Sequence, residues 1–471
     1  MTVMTTSRPR LLCAILLGLG LLGGCAVGPA YKVPTTPQPA AFKEAGPWQV
    51  AAPADTLDKG PWWTLFNDPQ LNDLAARVKV DNQNVAAAVA NYAAARATVA
   101  QQRAQLLPTV TLNTSADRSG GGGSGGGNNK SYRLSIGGTW EPDVWGRLRA
   151  GVTGAEANAQ ASAADLAAAT LSAQGELAIN YFNIREIDAE RDLVKQTIEG
   201  YQRVLQITQN RFDAGIAAKT DVLQAQTQLA QTRTDALGLE RQRAQLEHAI
   251  AILLGRAPAD FSLAVAPWTV NVPEVPAGVP SALLQRRPDI ASAERRVAAA
   301  NANIGIAQAA YYPNIGLTGS YATGGPSFSD LFRVSNAVWS LGLSAAETLF
   351  NGGATRAAVQ GATAQQEAAA ARYRQTVLTA FGDVEDQLSA TRILAQQQLL
   401  RRQASDAANQ VETQILNRYK AGQVSYTEVV QAQATALSAR RALAQSQAER
   451  QTTAVALIQS LGGGWHEITQ K

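Results

Sequence analysis

One string constrains this chain more than any other feature: Arg211-Phe212-Asp213-Ala214-Gly215 returns as Arg418-Tyr419-Lys420-Ala421-Gly422, 207 positions later. At the same offset Thr220, Val222, Gln224, Ala225 and Gln226 match Thr427, Val429, Gln431, Ala432 and Gln433, and Leu254-Gly255 matches Leu461-Gly462. Upstream, Leu107-Pro108-Thr109-Val110-Thr111-Leu112 is echoed by Tyr312-Pro313-Asn314-Ile315-Gly316-Leu317 at an offset of 205. A repeat on this scale is one supersecondary unit written twice, so the fold has to accommodate two equivalent halves. They run over 71–255 and 285–462, joined by a Pro-rich connection at 256–284.

Each half reads as helix, two strands, very long helix, turn, long helix. The Ala-rich stretches 71–106 and 286–310 predict helices stopped by Pro108 and Pro313, which cannot continue a helix. Segments 149–210 and 354–417 contain no proline, and at ~1.5 Å per residue each helix reaches about 90 Å. Helices of that length do not fold into a compact domain. With Val222 at heptad position a, the return helix places Ala225, Leu229, Ala236, Leu239, Leu246, Ile250 and Leu253 on one seam, broken only by Thr232 and Arg243. The second copy sets Val429, Ala432, Ala436, Ala439, Leu443 and Leu457 in the same frame, with Arg450 aligned to Arg243. A wall of packed long helices follows.

Between the helices the apolar period changes to two, as in half-buried strands. Tyr132, Leu134, Ile136, Gly138 and Trp140 share one face; Arg133, Ser135, Gly137 and Thr139 share the other. Val110 and Leu112, then Ile315, Leu317 and Tyr321, then Trp339, Leu341 and Leu343 alternate likewise. Each hairpin therefore has a greasy face and a small, polar one. Tyr132 to Trp140 spans roughly 25 Å of strand, about the height of the apolar band of an outer-membrane barrel, with Tyr132, Trp140, Tyr321 and Trp339 as the expected interfacial aromatics. A soluble sandwich with its greasy faces turned inward is the competing arrangement. In lipid, four strands cannot close and open edges are not tolerated, so oligomerisation is required. Two copies give a barrel plugged by its own side chains, and three give twelve strands with room for a channel. The glycine run Gly120–Gly127, interrupted by Ser124, joins two strands and lacks the Gly-Lys-Ser/Thr ending of a phosphate loop. It predicts a flexible extracellular loop.

The N-terminus is an address. Arg8 and Arg10 precede the apolar run Leu11 to Leu22, short for a membrane span and typical of a signal peptide over 1–24. The run ends in Leu22-Gly23-Gly24-Cys25, a sequence that resembles the lipobox of bacterial lipoproteins. Cys25 is then the expected lipidation site and the only cysteine of the mature chain, since Cys13 lies in the leader. Of the 41 basic residues two are in the leader, which leaves 39 against 37 acidic ones. That balance predicts no nucleic-acid partner. The only histidines, His248 and His466, are far apart in sequence, so no metal centre, catalytic group or cofactor is expected, and the chain reads as a non-enzyme.

Taken in order along the chain, these features resemble the outer-membrane factor family of tripartite efflux pumps, and within the TolC-like proteins the OprM-like lipoprotein branch. The resemblance rests on Cys25-Ala26-Val27-Gly28-Pro29 with Tyr31, Trp62-Trp63 with Phe66-Asn67-Asp68-Pro69-Gln70-Leu71, the two RF/Y-x-A-G turns, and Leu461-Gly462-Gly463-Gly464-Trp465. It implies a mainly helical chain with a membrane β-barrel contribution: a homotrimer whose four strands per protomer build a twelve-stranded barrel, continuous with an α-barrel of long helices. Residues 25–70, 256–284 and the tail 463–471 would supply a mixed equatorial region. The implied setting is the outer membrane, lipid-anchored among its lipids and reaching into the periplasm. The implied partners are a periplasmic adaptor and an inner-membrane pump, often of the RND type.

The resemblance also implies site residues. Gly215 and Gly422, which as turn glycines end the long helices, would form the tips where adaptor hairpins dock. Asp221 and Glu428 stand at matching positions just past the tips and, with Tyr419 and Gln431, would form a periplasmic gate. Ser425-Tyr426-Thr427-Glu428 is equally a capping-box pattern, a role that does not exclude the other. Val424 replaces an arginine found in TolC-like gates and Gln431 an aspartate common in relatives, so the expected constriction relies on Glu428, Gln431 and helix packing. A type I secretion duct of the same fold is one alternative, disfavoured by the lipobox. A periplasmic coiled-coil adaptor or structural protein is another, disfavoured by the hairpins.

Overall fold

A computed structural model describes residues 27–37, 39, 41–45, 61–120, 129–275 and 286–463. The expectations for the leader, for Cys25, for residues 121–128 of the glycine run, for 276–284 and for the tail beyond 463 lie outside the described residues. The elements are α1 (Pro69–Asp81), α2 (Gln83–Ala104), β1 (Thr109–Ser119), β2 (Asn129–Trp140), α3 (Arg147–Asp213), α4 (Lys219–Leu253), α5 (Pro288–Ala309), β3 (Asn314–Gly325), β4 (Ala337–Ala346), α6 (Ala354–Lys420) and α7 (Tyr426–Ser460). The duplication is visible in their lengths: α2 and α5 each have 22 residues, α3 and α6 each 67, α4 and α7 each 35. At ~1.5 Å per residue, α3 and α6 are each about 100 Å long. No helix among the described residues is long and apolar enough to cross a membrane.

The chain forms two compact units. The first (Met1–Thr35, Asn91–Ala163, Ser292–Gln375) contains one antiparallel sheet in the order β1-β2-β3-β4. Its register sorts the two faces across all four strands. Leu112, Ile136, Tyr321 and Trp339 fall in one row, and Trp140, Leu317 and Leu343 in another. The opposite face collects Thr111, Asn113, Ser135, Ser320 and Ser340, with a 2.8 Å hydroxyl bond between Ser320 and Ser340. Of the expected interfacial aromatics, Tyr132 and Trp140 stand toward the two ends of β2, and Trp140 Nε1 donates to the Leu106 carbonyl at 3.0 Å. Tyr321 and Trp339 are cross-strand partners in the row of Ile136, with Trp339 close to the start of β4.

At the helix end of the sheet, Trp145 stacks on Tyr312 with centroids 4.8 Å apart and donates from Nε1 to the Pro313 carbonyl. The N-terminal segment docks nearby. Val27 N–H donates to the Trp145 carbonyl, Asn301 to that of Pro29, and the Tyr31 hydroxyl to Glu294. Gly28 and Gly305 meet so closely that a Cβ on Gly28 would sit 2.8 Å from the Gly305 Cα.

The second unit (Thr36–Ala90, Ala164–Ala291, Thr376–Lys471) holds the main apolar core, in which Trp62, Phe66, Leu71, Tyr181, Phe182 and Ile250 are buried. The Trp-Trp motif acquires a physical meaning here. Asn67 adopts a left-handed φ of 52°, Asp68 caps α1 by accepting from the Gln70 and Leu71 amides, and its other oxygen accepts from Tyr181 at 2.6 Å. The single helix expected over 71–106 is two. Asn82 breaks it with an extended ψ of 124°, caps α2 through Oδ1, and donates from Nδ2 to the Leu253 carbonyl.

The heptad seam is observed with one correction. Val222, Ala225, Leu229, Leu239, Ile250 and Leu253 are buried, and buried Thr232 satisfies its hydroxyl on the Gln228 carbonyl one turn back. Arg243 does not interrupt the packing. Its Nε lies 2.7 Å from buried Asp188, which also meets Arg185 and Arg191.

Candidate functional site: the paired helix turns

Both long helices of the second unit end in the same hydrogen-bonded turn. The Ile216 amide donates to the Arg211 carbonyl and the Gly215 amide to Phe212; in the second copy Gln423 donates to Arg418 and Gly422 to Tyr419. This is the Schellman arrangement, which places its penultimate residue in the left-handed region. Gly215 and Gly422 take φ of 71° and 75° there, with little beside them: nothing within 4 Å of a Cβ on Gly215, and only the Arg211 guanidinium at 4.0 Å from one on Gly422. Glycine is needed at the turns for its conformation, and the surface around it stays open.

Behind the turns the two hairpins are joined by an aromatic cluster. Tyr419 is buried, packs at 5.7 Å against Tyr426, and shares a 3.1 Å hydrogen bond with Thr208. The Arg211 guanidinium lies 4.8 Å over the Tyr419 ring and donates to the Tyr419 carbonyl at 2.7 Å. Tyr426, Val204, Ala225 and Val429 complete the cluster. Burial raises the Tyr426 hydroxyl above its ordinary pKa, and the neighbouring tyrosines and Asp221 add to the rise. Tyr419, expected among the gate residues, thus has its side chain inside this cluster rather than on an exposed surface.

The two acids past the tips differ. Glu428 is exposed and forms a complete capping box: its Oε1 accepts from the Ser425 amide at 3.1 Å, and Ser425 caps the N-terminus of α7 in return. No capping box forms at Asp221: Ala218 occupies the N-cap of α4 and has no side-chain oxygen to accept from the first-turn amides. Glu428 and Gln431 come together in a groove of about 300 Å³, floored by Val411, Ile415 and Ala432. Asp221 and Tyr419 are not among the residues lining that groove.

Farther along the helices lies a second cleft of about 450 Å³, which nothing in the sequence pattern singled out. Glu186 and Glu190 from α3 face Arg441, Gln445 and Glu449 from α7. Glu190 is buried and accepts from Arg441 and Gln445. Burial, together with the adjacent Glu190 carboxylate, pushes Glu186 up to about 8. Among the described residues no group of three or more acids, histidines and cysteines is placed to hold a metal ion.

Known proteins resemble this chain in sequence and in fold. Residues 74–256 and 279–463 match the family described as outer membrane efflux protein. The chain is 31% identical over 458 residues to the toluene efflux pump outer membrane protein TtgC of Pseudomonas putida, covering 95% of this chain and 94% of that one. It is 30% identical over 463 residues to the pyoverdine export outer membrane protein OpmQ of Pseudomonas aeruginosa, covering 96% of both. The solved structure of the outer-membrane channel OprN superposes with a TM-score of 0.86 at 31% identity, covering 94% of this chain and 100% of that one. Two stretches that together take in most of the chain match a single family, and the chain belongs to the outer membrane efflux protein family.

Proposed function

We propose that this outer-membrane efflux channel works as a homotrimer, in which three four-stranded sheets close one twelve-stranded barrel and the long hairpins form the periplasmic duct. The observation that carries the reading is the sheet itself. It has one continuous apolar face, one polar face, and at each edge a strand, β1 or β4, whose outer side has no partner strand among the described residues. Edge strands in hydrocarbon leave backbone groups unsatisfied at several kcal/mol each. Twelve strands supply the missing partners and leave a lumen lined by Thr, Ser and Asn.

In this reading the channel is passive and performs no chemistry. An inner-membrane pump, probed first as the RND type, and a periplasmic adaptor deliver the cargo. The open surface at Gly215 and Gly422 suits the docking of adaptor hairpins. Glu428 and Gln431, side by side and exposed, suit a constriction, with Asp221 as a second ring, while buried Tyr419 holds the hairpins that carry them. Cys25 is the acylation site; Val27, bound to the Trp145 carbonyl at the base of the sheet, leaves only Ala26 between that contact and the anchor. Relatives of nearly equal identity carry names for toluene and pyoverdine export, in keeping with a duct whose selectivity lies in its pump.

Native mass measurement and single-channel recording test the reading together. It requires a mass of three acylated chains and a conductance that rises in Glu428→Ala/Gln431→Ala. A monomeric mass, or a conductance and antibiotic leakage unchanged by that pair, would count against the trimer or the constriction respectively.

A further inference from the structure

We propose that Arg118 and Lys130 form a binding site for the phosphate groups of an anionic lipid in the outer leaflet. The inference rests on the barrel reading above. Arg118 and Lys130 are direct cross-strand partners in the β1–β2 ribbon. Side chains two apart along a strand share a face, so Lys130 stands with Tyr132, Leu134 and Ile136, and Arg118 with Ala116 and Leu112. Both cations are therefore on the apolar, lipid-facing side, one step past the row of Ala116 and Tyr132. Both are exposed, and neither side chain has a hydrogen bond or ion pair among the described residues.

Like charges directly opposite one another destabilise a strand pair, and cations on the lipid face of a barrel are tolerated only toward its rims. An anion between the two would relieve both costs. The direction along the strands fixes where that anion lies. Helices attach to the sheet at Thr109, Trp140, Asn314 and Ala346, whereas Arg118 and Lys130 stand at the opposite end, beside the hairpin connections. With the helices in the periplasm, the pair faces the outer leaflet, about 7 Å of strand beyond Tyr132, where lipid headgroups begin.

The β3–β4 connection adds an apolar shelf at the same height. Phe328 meets the Tyr132 ring edge-on at 6.2 Å and Phe332 at 5.8 Å, and Phe328, Phe332 and Val334 are 64%, 75% and 86% exposed. Buried Asp330 holds the shelf in place: its carboxylate accepts from the Ser327 amide, and its carbonyl accepts from Asn336. Exposed aromatic residues fixed beside an unneutralised cation pair fit a ligand with both acyl chains and phosphate. Free phosphate would meet only half of that surface.

The test uses the full-length acylated trimer in phosphatidylethanolamine nanodiscs containing bis-phosphorylated or dephosphorylated lipid A. Native mass measurement counts retained lipid, and heat dissociation reports trimer strength. The wild type is expected to retain the phosphorylated form at least tenfold more tightly than the dephosphorylated one and to dissociate at a higher temperature with it. Arg118→Gln/Lys130→Gln should lose that preference, Arg118→Lys/Lys130→Arg should keep it, and inorganic phosphate should not substitute. Equal retention by wild type and Arg118→Gln/Lys130→Gln overturns the proposal, as does full competition by inorganic phosphate. So does weakened trimerisation of Arg118→Gln/Lys130→Gln in discs without lipid A, which would mark a contact between copies. Wild-type conductance in the same preparation reports separately on the barrel reading.

Discussion

The guanidinium of Arg211 lies over the ring of Tyr419 at 4.8 Å and donates to its carbonyl at 2.7 Å, tying the turn of one repeat to the turn of the other. The two residues stand one position apart in the repeated motif, since the copy of Arg211 is Arg418 and the copy of Tyr419 is Phe212. The duplicated string thus supplies both halves of a contact between its own copies. Arg211→Ala removes a stacked cation and a charge-assisted hydrogen bond, together worth about 2 kcal/mol. Hydrogen exchange at the amides around Gly215 and Gly422 should accelerate roughly tenfold or more. Arg211→Lys should rescue little of this, because an ammonium cannot reproduce the planar stack.

Tyr419→Phe and Tyr419→Ala separate the hydroxyl from the ring. Thr208 keeps a second bond, donating to the Val204 carbonyl, so losing the tyrosine hydroxyl should cost about 1 kcal/mol. Truncation to alanine empties the centre of the cluster and should cost about 3–5 kcal/mol. Chemical denaturation of the second unit, followed by the tyrosine signal, orders the two variants.

Glu428 serves as a cap and, in the proposed constriction, as a pore charge, and two substitutions distinguish these roles. Ser425→Ala disturbs the capping box and should cost about 1 kcal/mol in stability while leaving ion selectivity unchanged. Glu428→Gln retains an acceptor for the Ser425 amide and should lower cation selectivity with a smaller loss of stability. Reversal potentials in asymmetric salt, paired with melting curves, read both.

Gly255 and Gly215 share a left-handed φ, of 64° and 71°, but not their surroundings. A Cβ on Gly255 would lie 2.1 Å from the Asp81 carbonyl oxygen, and one on Gly462 would lie 2.2 Å from that of Arg286. Gly255→Ala and Gly462→Ala must displace backbone, and should destabilise by more than 3 kcal/mol. Gly215→Ala meets only the conformational penalty of about 1 kcal/mol. The temperature at which the trimer dissociates in detergent is the readout.

Much of the architecture is legible in the sequence, for physical reasons. Proline-free runs mark α3 and α6, period-two alternation marks the strands, and the 207-residue offset pairs the turns. The helix break at Asn82 was not legible, because it depends on an asparagine that caps α2 while binding a carbonyl 171 residues away. Arg243 read as a flaw in an apolar seam because its partner, Asp188, lies 55 residues back on another helix. Tyr419 sits at a helix end, where periodicity does not tell an inward from an outward ring.

Stability should fall with rising pH through the Glu186 cleft. Glu186 titrates near 4.5 when unfolded and is pushed up to about 8 by burial and then by Glu190, against the opposing charge of Arg441. A carboxyl whose folded pKa is raised contributes stability that is fully present below pH 4.5 and is lost as pH rises through about 8. Glu186→Gln should therefore match the wild type near pH 4 and melt at a higher temperature than it at pH 9.

Hydrogen exchange at the outward edges of β1 and β4, measured in lipid bilayers, tests most directly whether copies of this chain close one barrel. Closure predicts that the edge amides of β1 and β4 are protected as strongly as those between β2 and β3. Rapid exchange along either edge, with β2 and β3 still protected, would contradict it.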